Sequence, residues 1–235
     1  MTSGHAATEE ILRRGLSGDA DARRVTLDPR FQGLPDTAHG GTILALFDAV
    51  ARATGARTVA GTYRRRVPLA TPLQLAIARD DAATRFRLSD GATLLVDGAV
   101  TPAALGAPGE EAAGTAGRVA PPRLVGRRQS LLPLSKTCFA CGTENALGLR
   151  ARLEIDDEMV SGVWTPREEL RSRGSDDVVA PVALTSLLDE AAFWLGAAAS
   201  GESGMTTDLH VRLHAPVSFG RRLIVGGARG TVRAH

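Results

Sequence analysis

The sequence predicts an α+β protein in which one plan is built twice: a long buried helix followed by a run of antiparallel strands. Three observations lead there. Two helical segments are apolar nearly all round, so neither has the polar face of a surface helix. Strand-like segments follow each of them in close succession. A stretch rich in Ala, Gly and Pro, without periodicity, separates the two copies.

The elements can be taken in order. Residues 22–33 (ARRVTLDPRFQG) are extended and lead through a loop to the first helix, 42–54 (TILALFDAVARAT). Strand-like segments follow at 58–69, 73–79, 84–89 and 93–100. After the interruption, 149–155 (LRARLEI) and 159–166 (MVSGVWTP) read as strands and 182–199 (VALTSLLDEAAFWLGAAA) as the second helix. Further strands follow at 206–217 and 222–232. Strand, loop, helix and strands thus occur twice, which predicts an internal duplication. The expected division is an N-terminal domain over 1–100, a linker over 101–130 and a C-terminal domain over 131–235. Aligning YRRRVPL with VRLHAPV sets Pro68 opposite Pro216, and the second copy then runs out of chain before its last strand.

Bulk properties narrow the function. The chain has 235 residues, 43% hydrophobic and 23% charged, with a net charge of +2. That balance gives nucleic acid no large basic surface to meet, and an aromatic content of 4% offers few stacking platforms. The N-terminus lacks the basic-then-apolar pattern of a signal peptide, and no run of 18 apolar residues calls for a membrane span. The expectation is a cytoplasmic protein with neither nucleic acid nor membrane as a partner. Cys138 and Cys141 form a single Cys-x-x-Cys. A structural zinc needs four ligands, and no second cysteine pair exists; His210 and His214 are available, but no spacing ties them to the cysteines. The pair is therefore expected to be a reduced turn, with no metal.

The chemistry concentrates on the helices. Asp48 and Asp189 occupy corresponding places inside the two apolar segments, and a buried carboxylate is costly unless something compensates it. Such a group either faces a substrate cavity as base or nucleophile, or is satisfied by neighbouring backbone. Upstream of Asp48, His39-Gly40-Gly41 stands at the expected start of the helix. Free N–H groups there, with the positive helix end, can stabilise an oxyanion. Glycine lets a carbonyl come close to the backbone. The simpler alternative is a Gly-rich turn with His39 as a packed cap.

His-Gly-Gly followed nine residues after the His by Asp on a buried helix resembles the hotdog-fold acyl-CoA thioesterases of the phenylacetate-pathway type. The second half's CFACGTENALGLRARL, with VWTPREEL and LLDEA, resembles another hotdog thioesterase branch. The resemblance implies two tandem hotdog domains, each a helix wrapped by an antiparallel sheet, facing each other as an intrachain pseudo-dimer. It also implies a thioester hydrolase acting on an acyl-CoA or acyl-carrier-protein substrate. No cofactor is implied apart from the coenzyme A of the substrate, and there is room for homo-oligomers of such pairs.

One departure directs the assignment. Nine residues before Asp189 the second half has Ala180-Pro181-Val182 in place of His-Gly-Gly, and proline has no N–H to donate. Gly40 and Asp48, eight residues apart on one helix, are about 12 Å from each other and cannot easily serve one carbonyl. In hotdog dimers, as the resemblance implies, the helix start of one subunit meets the carboxylate of the other. The expected site therefore pairs Gly40, the oxyanion donor, with Asp189, the base or nucleophile. His39 shapes the turn, and Thr206 orients the carboxylate or water. Gly41, Glu190, Asp48 and Thr58 (the counterpart of Thr206) are expected substrate neighbours; Glu190 is set about 100° around the helix from Asp189. Two other functions compete. Loss of the second His-Gly-Gly also fits a non-catalytic acyl-thioester binder or scaffold. A hydratase or dehydratase needs an Asp/His or Glu/His pair, and neither helix carries a His beside its carboxylate.

Overall fold

The structure, a computed structural model, describes residues 8–103, 130–131, 135–155, 159–172, 177–201 and 204–229. A short helix α1 (Thr8–Arg14) and strand β1 (Leu16–Gly18), neither expected from the sequence, precede β2 (Ala22–Thr26). A 3-10 turn at Pro29–Phe31 leads to helix α2 (Gly40–Ala51), and four strands follow: β3 (Arg57–Tyr63), β4 (Pro72–Arg79), β5 (Thr84–Asp90) and β6 (Thr93–Pro102). Their sequences explain them. In β4, Leu73, Leu75 and Ile77 are buried while Gln74, Ala76 and Ala78 are exposed, the period-two pattern of a strand with one wet face. Helix α2 is buried along nearly its whole length, and Phe47 stacks on Phe86 of the sheet with ring centroids 4.7 Å apart. Strand β6 continues to Pro102, two residues past the expected domain end. Most of the expected linker, 104–129, lies outside the described residues.

The second half repeats the order in reduced form. Two-residue strands β7 (Ser130–Leu131) and β8 (Glu154–Ile155) and strand β9 (Met159–Trp164) come first. A 3-10 turn at Glu168–Leu170, helix α3 (Pro181–Ser200) and strands β10 (Asp208–Leu213) and β11 (Leu223–Ala228) follow. The entry into both helices is built alike: the His39 N–H donates to Phe31 O and the Ala180 N–H to Leu170 O, each at 2.8 Å. Residues 149–153, expected as part of a strand, are instead held by the cysteine loop. The N–H groups of Leu149 and Ala151 donate to Phe139 O and Ala140 O at 2.8 and 2.9 Å.

Two antiparallel sheets result, with orders β1-β2-β4-β5-β6-β3-β10 and β11-β9-β8-β7. Strand β10 thus leaves its own half and completes the first sheet, pairing with β3 from Asp208 opposite Thr62 to Leu213 opposite Arg57. Where α2 is followed by four strands, α3 is followed by two among the described residues. Accordingly α3 is not buried all round as expected: Leu188 is 41% exposed, and from Ala192 onward the helix is half-buried or exposed. By length and composition α3 could also cross a membrane, a property shared with core helices of its kind.

Helices α2 and α3 pack against each other, the first turn of α2 lying on Thr185 and Ser186 of α3. A Cβ on Gly41 would stand 2.5 Å from Ser186 Cα and 2.6 Å from Thr185 O, both backbone atoms that cannot turn aside. The Thr185 hydroxyl donates to Gly41 O at 2.7 Å across the same contact. Gly41→Ala is therefore expected to lower unfolding stability by about 1–3 kcal/mol through overpacking. Gly196→Ala, at an open position within α3, should instead raise it by up to about 1 kcal/mol. Urea titrations of both variants check this; a neutral Gly41→Ala would mean the helices are not locked at that point.

Candidate functional site

Where the start of α2 meets the body of α3, Asp189 is buried and surrounded by donors. Oδ2 accepts the Gly41 N–H at 2.8 Å, and Oδ1 accepts the Thr206 hydroxyl at 2.8 Å. His39, the N-cap of α2, brings Nδ1 to 3.1 Å from Oδ2. The Gly41 N–H also lies 3.3 Å from Nδ1. A carboxylate can only accept, so Nδ1 carries a hydrogen toward Asp189, and the Gly41 N–H is directed chiefly at the same oxygen. The other ring nitrogen faces Glu190, with Nε2 3.5 Å from Oε2. Glu190 Oε1 in turn accepts the Trp194 indole N–H at 3.0 Å.

One imidazole is thus clamped between two adjacent carboxylates. Burial by itself would lower the His39 pKa, but Asp189 and Glu190 outweigh it and raise it to about 10. Burial likewise opposes charge on both acids; the charge of His39, and for Glu190 first its hydrogen bond, hold each below the usual carboxylate range. The cluster is an ionised one: two carboxylates around an imidazolium.

Gly40 completes the arrangement. Its N–H, at the first helical position, has no acceptor among the described residues. A Cβ there would stand 2.7 Å from Asp189 Oδ2, so only glycine leaves the carboxylate this close to the helix start. Its carbonyl accepts the Tyr63 hydroxyl at 2.6 Å. All of this opens on a cavity of about 370 Å³ with walls from both halves of the chain. Leu34, Val67, Phe193, Trp194 and Met205 supply apolar surface, and Arg65, exposed, stands at its edge. Phe47 does not line this cavity but lies in the core against Phe86.

The structure therefore gathers His39, Gly40, Gly41, Asp189, Glu190 and Thr206, and leaves Asp48 and Thr58 elsewhere. Asp48 forms a two-pronged ion pair with Arg57, to Nε and, at 2.7 Å, Nη2. It borders a separate cavity of about 360 Å³ that also includes Pro181. Thr58 lines neither cavity and does not play the part of Thr206; Arg57, one residue earlier, takes the carboxylate. The alternating strand explains this, because neighbouring residues on β3 face opposite ways. Glu190, expected as a substrate neighbour, does line the first cavity. Although its direction on the helix differs from that of Asp189, its longer side chain reaches the far edge of the imidazole.

Arg57 and Tyr63 were not anticipated, and neither was the position of the cysteines. Cys138 and Cys141 do form a turn, closed by the Gly142 N–H donating to Cys138 O at 2.9 Å. The turn packs on the first half, with Phe139 N–H donating to Gln32 O at 2.6 Å, so both free thiols are buried in the wall of the cavity. Cys141 donates toward Cys138, which lowers the Cys138 pKa and raises that of Cys141. His39, Cys138 and Glu190 each place one ligand atom within 4.8 Å of the others. His210 and His214, the partners considered for the cysteines, do not line this cavity. The signal for the true neighbours was not sequence spacing but the packing of one half on the other.

No protein-family model and no curated protein matches the sequence. Solved structures do. A protein assigned as a thioesterase from Novosphingobium aromaticivorans shares 14% identity over 94% of this chain and 99% of its own, with a TM-score of 0.56. The TesB protein of Mycobacterium avium subsp. paratuberculosis shares 14% over 89% and 80%, with a TM-score of 0.54. The GphF dehydratase 1 domain shares 15% over 89% and 81%, with a TM-score of 0.50. At such identities the likeness speaks for architecture alone: the chain has the hotdog fold that these thioesterases and the dehydratase share.

Proposed function

We propose that the chain is an acyl thioesterase that hydrolyses an acyl-CoA or acyl-carrier-protein thioester at one composite site. In this reading the two halves are tandem hotdog domains facing each other as a pseudo-dimer. The observation that carries it is the placing of the Asp189 carboxylate, from one half, against the free Gly40 N–H at the helix start of the other, in a largely apolar cavity.

The steps follow from the hydrogen bonds. Asp189 Oδ2 is committed to the Gly41 N–H and His39, whereas Oδ1 accepts only from Thr206. Oδ1 therefore retains a lone pair for a water, and the Thr206 oxygen keeps its own to hold that water in place. The water attacks the thioester carbonyl carbon as its proton passes to Oδ1. The carbonyl oxygen becomes an oxyanion and takes the Gly40 N–H, aided by the positive end of α2. When the intermediate collapses, the carbon–sulfur bond breaks and the proton on Asp189 goes to the leaving thiolate. His39 keeps Asp189 oriented and ionised. Arg65, at the edge, is placed to meet a phosphate of coenzyme A or of a carrier's phosphopantetheine arm.

Asp48 has no such role. Its charge is taken by Arg57, and the helix start it faces begins with a proline. A hydrolysis screen over acyl chain lengths and aryl-CoAs, with free-thiol detection, should find turnover. In it Asp189→Asn should lower kcat/KM by about 10²–10⁴-fold, the range for loss of a general base, while Asp48→Asn leaves it unchanged. Full activity in Asp189→Asn would remove the assignment. Binding without turnover would instead favour a non-catalytic acyl-thioester binder. The lowered Asp189 pKa sets a second expectation. A depressed acid stays ionised below its ordinary range, so the acidic limb of kcat/KM should fall below the usual Asp value of about 3.9. A limb well above that value would name another base.

A second reading has gained an observation. The His/Asp pair that a hydratase or dehydratase requires, missing from either helix alone, is present across them as His39 and Asp189. The same assays decide between the two. Interconversion of an enoyl and a β-hydroxyacyl thioester without thiol release would replace hydrolysis with hydration chemistry.

A further inference from the structure

We infer that the wall of this cavity holds a divalent-cation site of the zinc type, with His39 Nε2, Cys138 Sγ and a Glu190 carboxylate oxygen as ligands. One ligand atom from each residue lies within 4.8 Å of the other two, Nε2 is the ring nitrogen that faces Glu190, and all three residues are buried and line the cavity. Imidazole, thiolate and carboxylate together suit zinc, and three protein ligands with a fourth position open to a cavity are the pattern of a zinc site that admits water or substrate. The 3.5 Å between Nε2 and Oε2 is about the edge of a tetrahedron whose metal–ligand bonds are roughly 2.0–2.1 Å.

A second observation points the same way. The nitrogen of His39 that would not bind metal is turned to Asp189 at 3.1 Å. Metal-bound histidines characteristically give their other N–H to a carboxylate, which fixes the ring and leaves the remaining lone pair for the ion. The other ligands are also held before any ion arrives. Trp194 fixes Glu190 through Oε1, leaving Oε2 toward the imidazole. The Cys138 turn is tied to Gln32, seven residues before His39, through Phe139 N–H and through a Gln32–Thr137 side-chain bond of 2.6 Å. Binding displaces the proton of the Cys138 thiol and any proton on Nε2, so the dication enters as protons leave. Asp189, Thr206 and the Gly40 N–H lie on the other side of the ring and are not consumed. The site therefore stands whether or not the chain hydrolyses thioesters.

The test uses the full chain, stripped with a chelator, desalted under reducing conditions and titrated with cobalt(II) and zinc(II). One equivalent of cobalt should bind and show a thiolate-to-metal charge-transfer band with the intense visible bands of tetrahedral coordination, displaced by zinc. Cys138→Ser should abolish the charge-transfer band. Glu190→Gln, which keeps shape and packing, should weaken binding by more than the roughly 10–100-fold that loss of a mere outer partner costs. Cys141→Ser should retain both stoichiometry and band. No stoichiometric binding, a band that survives in Cys138→Ser, or undiminished affinity in Glu190→Gln would each overturn the site. A band lost in Cys141→Ser as well would overturn this ligand set. None of these readouts depends on thiol release, so they succeed or fail separately from the hydrolase reading.

Discussion

A carboxylate buried between two helices has to be given hydrogen bonds, and at Asp189 they come from three directions. The Gly41 N–H reaches it from the start of α2, the Thr206 hydroxyl from the segment leading into β10, and the His39 imidazole from the cap of α2. Each donor depends on some larger feature. The first requires the helices to cross at Gly41, where no side chain fits. The second requires the chain after α3 to turn back toward α2, which β10 enforces by joining β3. The third requires the α2 cap to be an imidazole rather than the more usual Ser, Thr, Asp or Asn. The pairing of the two halves is thus inseparable from the satisfaction of one charge.

The corresponding place in the other half shows what happens when the donors are removed. Asp48 faces a helix start made of Ala180 and Pro181, which has neither a side-chain cap nor an N–H at its first position. A bare carboxylate there would be unstable, and Arg57 supplies the charge that the helix end does not. The two sites therefore satisfy equivalent aspartates by different means. One uses neutral N–H and O–H donors plus an imidazole and keeps an unclaimed lone pair on Oδ1. The other uses a guanidinium that engages both oxygens. A carboxylate held on both oxygens by a fixed cation is a poor base, so the two acids differ through their donors rather than in themselves.

Much of this was legible in the sequence, for identifiable reasons. The helices and the strands of the first half follow from periodicity, which is a local property. Helix length separates Gly40 from Asp48; the pairing of Gly40 with Asp189 comes from the resemblance to hotdog dimers, and the missing N–H at Pro181 singles out that pair. What could not be read depends on which residues packing brings together. Arg57 and Thr58 are neighbours in sequence and face opposite sides of a strand, and nothing local says which of them meets the carboxylate. The angle of Glu190 on the helix places it beside the site but does not show that a glutamate is long enough to reach the far edge of His39. Residues 149–153 read as a strand because nothing local says that Leu149 and Ala151 will bond to Phe139 and Ala140 of the cysteine loop. Helix α1 carries too little pattern to be distinguished from an irregular terminus.

His39 is where these threads meet. Adjacent residues on a helix diverge by about 100°, so Asp189 and Glu190 could not share a small partner. A five-membered ring with nitrogens on two edges fits the divergence: Nδ1 meets the nearer, shorter acid and Nε2 the farther, longer one. The ring thereby couples two environments. On one side lie Asp189 and Thr206; on the other lie Glu190, Trp194 and the Cys138 thiol. Whatever occupies the Nε2 side, a proton shared with Glu190 or a metal ion, changes the charge on the ring and so the hydrogen bond it offers Asp189. A proton leaves a full imidazolium that deepens the ionisation of Asp189 and weakens it as a base. A metal ion leaves a neutral, polarised ring whose Nδ1–H is still a strong donor. The hydrogen bond that Asp189 receives is therefore set from the far edge of the ring, by Glu190 and its neighbours.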